Sequence, residues 1–139
     1  MQDSILQPSV ALMLLTFVVW VYMYILRLKW IAQNDESAEH LNTPEKLNAV
    51  VPERINRPSN NFKNLCELPI IFYALCVFLY VLNLVDQLFI ALAWAFVGLR
   101  LVHSSIHCVV NNVPLRFASY LFSCLVLWAM VFRFAIIIL

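Results

Sequence analysis

From Val10 to Leu26 the chain presents an apolar run broken only by Thr16. With the flanking Pro8 and Trp30 it supplies the roughly 20 residues that a helix needs to cross about 30 Å of hydrocarbon. Three further stretches repeat this character, and the reading is an all-α, integral membrane four-helix bundle in one domain, 1–139. Its helices are expected at about 8–30, 58–84, 87–112 and 115–139, with a cytoplasmic loop at 31–57. Composition agrees: 63% of the 139 residues are hydrophobic, 12% are charged and one is glycine. The mean hydropathy is +0.84. A soluble domain does not look like this.

The formal charge is +1, and no basic cluster sits among aromatics as a nucleic-acid binder requires, so no nucleic-acid partner is expected. Cys66, Cys76, Cys108 and Cys124 lie in or beside apolar segments without a CxxC, and read as small buried hydrophobes. Gln2 and Asp3 replace the basic start of a signal peptide, and bulky Trp20, Tyr22 and Tyr24 stand where small cleavage-site residues belong. The first segment is therefore expected to remain as a span. Tyr22, Tyr24 and Trp30 suit a membrane interface, with Arg27 and Lys29 within reach of headgroups.

The loop carries charges of both signs and two prolines, Pro44 and Pro52; Thr43 is placed to cap a short helix entering through Pro44 and Glu45. The second span is expected to begin at Pro58, a favoured first-turn residue. Arg57, Asn60, Asn61, Asn64 and Glu67 share an arc of about 120° on its first turns. Pro69 removes the helical bond to the carbonyl of Leu65 and predicts a kink beside Glu67.

Polarity returns between Arg100 and Tyr120. At about 100° per residue, Arg100, His103, Ser104, His107 and Asn111 fall within roughly 100° of one another on the third span. Pro114 is expected to end that helix, because it lacks a donor and disfavours a helical Val113. Beyond it, Arg116, Ser119, Tyr120 and Ser123 share one face of the fourth span. Opposite the stripe of the third span, Ala91, Ala95 and Gly98 form a small-residue face for close helix contact. Ionisable groups at membrane depth are candidates for function.

Six Lys/Arg lie between Arg27 and Lys63, Arg116 sits at the last connection, and the N-terminal tail and the Asn83–Gln87 turn hold none. The positive-inside rule then directs both termini away from the cytoplasm. Arg57, Asn61, Asn64, Glu67, Arg100, His103, His107, Arg116 and Tyr120 converge at one depth on the cytoplasmic side. Arginines with carboxamides and one carboxylate suit a small zwitterionic ligand, its carboxylates forked by guanidinium groups and its amine paired with Glu67. Arg116 beside Tyr120 favours an anion such as a thiolate. The competing chemistry is a metal held by His103 and His107, with Cys108 or Glu67. The flanking arginines oppose a cation, so no metal is expected. A haem fits less well, since two histidines on one helix cannot ligate its opposite faces.

The run Arg57-Pro-Ser-Asn-Asn61-Phe-Lys-Asn64, then Glu67-Leu-Pro69, with Arg100-Leu-Val-His103-Ser-Ser-Ile-His107 and Arg116-Phe-Ala-Ser-Tyr120, resembles the MAPEG family of membrane-associated proteins in eicosanoid and glutathione metabolism. The resemblance, to the bacterial-type members, extends over all four helices. The family's helix 2 motif is Arg-x-x-x-Asn-x-x-Glu or Asp; Arg57 and Asn61 match it, and Asn64 holds the acidic place. An alternative register matches Asn64 and Glu67, with Asn60 in place of the arginine. Arg100, His103, Arg116 and Tyr120 keep the spacing of the second motif, while His107 stands where tyrosine is common.

The resemblance implies a homotrimer in the lipid bilayer, here a bacterial inner membrane, binding glutathione as co-substrate between subunits. It implies a glutathione-dependent transferase or peroxidase acting on a lipophilic electrophile, with Arg116 stabilising the thiolate and Tyr120 positioning it. Arg57, Asn61, Asn64, Glu67, Arg100, His103 and His107 would hold the tripeptide. The alternative is a non-catalytic membrane protein of the same fold that binds a lipid or a partner helix, its polar stripe serving as a hydrogen-bond network.

Overall fold

The computed structural model describes residues 2–34 and 43–139. Part of the expected loop, 35–42, lies outside the described residues. A 3-10 turn at Gln2–Ile5 leads into α1 (Leu6–Asn34), followed by α2 (Pro44–Val50), α3 (Glu53–Glu67), α4 (Pro69–Val81), α5 (Gln87–Ser105) and α6 (Val113–Ile138). A π-helical turn, Ile106–Val110, extends α5. With α3 and α4 counted as one span, four helices are long and apolar enough to cross a membrane. The protein is an integral membrane four-helix bundle.

Several local expectations hold. The Thr43 side chain accepts from Lys46 N at 3.3 Å and starts α2. The second span breaks at Leu68, immediately before Pro69, where Ile71 N bonds instead to Leu68 O at 3.1 Å.

Other boundaries differ from the sequence expectation. α3 begins at Glu53, so Pro58 lies inside the helix, where its missing N–H leaves the Arg54 carbonyl without its helical donor. The Pro58 ring is buried. Pro114 opens α6 from its first turn, where a donor is not needed, and Val113 is already helical. The preceding helix stops at Asn111, whose φ of 53° is left-handed. Asn is among the few side chains that tolerate that region. Asn112 then caps α6, its side chain accepting from Leu115 N at 3.1 Å.

The core forms where α5 meets α1 and α4. Phe89, Ala93 and Phe96 of α5 are wholly buried with Leu12 of α1 and Phe72 and Leu79 of α4, and the Phe72 and Phe96 rings lie 4.7 Å apart. α6 packs chiefly on α5 and buries one stripe, Ser119, Ser123, Leu127 and Met130. Its remaining surface, including Phe122, Leu125 and Phe132, is exposed and apolar, as a lipid solvent permits. Ala91, Ala95 and Gly98 are exposed too, and a Cβ on Gly98 would meet nothing within 4 Å. None of the described helices covers this small-residue face.

The α4–α5 turn closes the end opposite the polar stripes. Asn83 adopts φ 57°, and the N–H groups of Asn83 and Leu84 return to Tyr80 O at 3.3 Å and Leu79 O at 3.0 Å, a Schellman closure. Asp86 caps α5 through Phe89 N at 2.9 Å and pairs with Arg133 of α6 at 2.9 Å and 2.5 Å. The Arg133 guanidinium also lies over the Phe89 ring, 4.2 Å from the centroid.

Candidate functional site

The polar stripes of α5 and α6 face one another across the Asn111–Asn112 turn. Asn64, His103, Val113, Arg116, Phe117 and Tyr120 line a cavity of about 270 Å³ at this junction. The His103 ring lies 5.6 Å from the Tyr120 ring and 5.5 Å from the His107 ring. Nδ1 of His103 donates to the Arg116 carbonyl at 3.0 Å, and Ser119 Oγ donates to the same oxygen at 3.0 Å. These bonds hold the first turn of α6 against α5.

Arg100 is wholly buried, and none of its three guanidinium nitrogens has a hydrogen-bond partner among the described residues. Its guanidinium stacks near two rings, 4.9 Å from the Tyr120 centroid and 5.3 Å from that of Phe96. Nε2 of His103 and Nδ1 of His107 are likewise buried and unpartnered. Two ring faces do not replace the hydration of a guanidinium, so this is a cationic environment with unmet hydrogen-bonding capacity. Arg116 donates to Asn111 Oδ1 at 2.8 Å and makes no ion pair among the described residues.

The cavity thus brings together Asn64, His103, Arg116 and Tyr120, with Arg100 behind Tyr120. The other candidates sit apart. Asn61 is fully enclosed, accepting from Ser104 Oγ at 3.3 Å and donating to Cys108 Sγ at 3.6 Å, so it joins α3 to α5 and its π turn. His107 is buried behind His103 and does not line the cavity. Arg57 lies at the rim, 3.6 Å from Glu53, and Glu67 is exposed at the end of α3.

Sequence reasoning missed the rim connection. Asn111 Nδ2 donates to Glu53 Oε1 at 3.0 Å while its Oδ1 accepts from Arg116. A continuous series, Arg57, Glu53, Asn111 and Arg116, therefore crosses from α3 to α6. Its only sequence signal is an asparagine just before a proline-started helix, which suggests a turn and not this bridge. Among the described residues no three of His, Cys, Asp and Glu gather as a metal-ligand set.

Arg116, His103, Asn64 and Tyr120 around one cavity, with the Arg100 guanidinium behind Tyr120, can receive a small molecule that carries carboxylates. Comparison with known families gives a match to the MAPEG family over residues 5–136. No curated protein and no solved structure matches. Because the match runs from the first turn of the bundle almost to the end of α6 and takes in the whole cavity, the chain belongs to the MAPEG family.

Proposed function

We propose that this protein is a glutathione-dependent transferase or peroxidase working inside the bilayer on a lipophilic electrophile. The observation that carries the reading is the meeting of Arg116, Tyr120, His103 and Asn64 around one cavity, next to the unpartnered Arg100 guanidinium. Family membership supports the choice of glutathione. The tripeptide supplies a thiol nucleophile when bound.

The chain's own groups do the rest. Arg116, without a carboxylate partner among the described residues, holds a positive charge at the cavity wall. The N-terminus of α6 adds its partial positive charge at the same place, since Val113 of the first turn also lines the cavity. Both favour the ionised form of a thiol held there in low dielectric. Tyr120, one turn further along, can donate its phenolic hydrogen to the same sulfur. Asn64 and Arg57 offer donors to carboxylates, and exposed Glu67 offers a charge to the ammonium. Arg100, His103 and His107 set the potential behind this wall. In this reading Asn61 acts through α3, holding the helix that bears Asn64.

The site's test is glutathione-dependent stabilisation of the detergent-solubilised protein, together with turnover of a chlorodinitrobenzene. A ligand that binds only the folded state at 100 times its Kd adds about 2.7 kcal/mol. No stabilisation and no turnover would sink the reading. They would favour the non-catalytic alternative, for which the closed Asn61, Ser104 and Cys108 network speaks.

A further inference from the structure

A second groove at the same end of the bundle shares no residue with the Arg116 cavity. It measures about 260 Å³ and lies between α1 and α3, with Tyr22, Leu26, Lys29, Trp30 and Gln33 on one wall and Arg54 on the other. The α1 residues follow i, i+4, i+7, i+8 and i+11, one face of the helix. Over about 16 Å at 1.5 Å per residue, that face runs from Tyr22 and Leu26 to Lys29, Trp30 and Gln33, that is from an aromatic and apolar end to one that carries a cation and a carboxamide. A lipid presents its chains and then its headgroup in the same order.

Lys29 and Arg54 are exposed, and neither has an ion pair or a hydrogen bond among the described residues. Among the described residues no acidic side chain lines the groove, so Lys29 and Arg54 are the charged groups of its described lining. Below Tyr22 the surface of α1 continues with exposed Val18 and Leu14, spaced for acyl chains to lie along it.

We propose that this groove seats an anionic phospholipid, with Lys29 and Arg54 on its phosphate, Trp30 beside the glycerol, and its chains running past Leu26 and Tyr22. A zwitterionic lipid brings its own cation to the same place and is held less well.

Native mass spectrometry of the full-length protein in a mild neutral detergent tests this, with phosphatidylglycerol and phosphatidylcholine of identical chains as probes. Phosphatidylglycerol should bind about 10-fold more tightly or better, given two basic groups near the anionic headgroup. The double variant Lys29→Gln, Arg54→Gln should lose that preference. Lys63→Gln, which removes one exposed charge outside the groove, should keep it, as should the charge-conserving Lys29→Arg, Arg54→Lys. Equal binding of the two lipids by wild type, or an unchanged preference in the double Gln variant, overturns the proposal. Displacement of the lipid by millimolar inorganic phosphate overturns it as well, because the groove would then be a simple anion site. Should the Gln variant fail to fold, the wild-type preference and the phosphate competition still decide.

Discussion

The Arg116 carbonyl lies 3.0 Å from Nδ1 of His103. A carbonyl only accepts, so Nδ1 carries the hydrogen, and in the neutral ring Nε2 is left as an acceptor. That acceptor is buried without a partner. The same bond ties the backbone of the residue assigned to the thiol to the middle of the polar stripe of α5. Arg116 is thereby held by its carbonyl on one side and by Asn111 on its guanidinium on the other.

Arg100 should reveal a trade between stability and binding. Burying a charge costs several kcal/mol, whereas each cation–π contact returns about 0.5–2 kcal/mol. Arg100→Met should therefore raise the melting temperature of the ligand-free protein while weakening glutathione binding at least about 10-fold. Thermal melts with and without glutathione check both halves. A lower melting temperature in the absence of ligand would mean that Arg100 supports the bundle itself.

The opposite end of the bundle should respond to acid. Hydrogen bonds from Arg133 chiefly, with help from the Phe89 N–H, hold the Asp86 carboxyl below the usual carboxylate range. A depressed pKa gives stability that is present above the unfolded value, near 4, and is lost as pH falls through the folded value. Because the pair is partly exposed, the effect should stay within about 1 kcal/mol. Asp86→Asn should flatten the stability change between neutral pH and about pH 3, measured by thermal melts across that range. An acid limb unchanged in the variant would move the origin of the pH dependence elsewhere.

Assembly is expected to be trimeric. Exposed apolar α6, and the uncovered Ala91, Ala95 and Gly98 face on α5, are surfaces that neighbouring subunits or lipid must cover. Native mass spectrometry in mild detergent should show three chains. A monomer that still binds ligand would count against the trimer.

Both termini are expected outside the cytoplasm, with Glu45 inside, because the Lys/Arg excess lies at the end that holds α2. A cysteine placed at Glu45 should resist an impermeant reagent in intact cells. Ready labelling there inverts the topology.

The four spans, the interruption at Pro69 and the faces of α5 and α6 were legible in the sequence, since hydropathy, a 3.6-residue period and a missing proline donor depend only on neighbours along one helix. The start of α3 was not. Its first turns are polar, and Pro58 looks like an opening residue although the helix begins five positions earlier. The π turn was hidden because a constant 100° count cannot register an extra residue in a turn. Contacts between distant segments were also out of reach: Asp86 with Arg133 and Glu53 with Asn111 are 47 and 58 positions apart. Periodicity placed Asn61 on the polar arc correctly, yet only the packing shows that it meets Ser104 and Cys108 and not the cavity.

If Arg116 and its neighbours receive glutathione and favour its ionised thiol, ultraviolet difference spectroscopy of glutathione bound to wild type, Arg116→Leu and Arg116→Lys will report it. Wild type should show a thiolate absorbance, Arg116→Leu should lose it with the bundle still folded, and Arg116→Lys should recover part of it, because charge returns without the planar fork. A full thiolate signal in Arg116→Leu, or none in wild type saturated with glutathione, would contradict this role of Arg116.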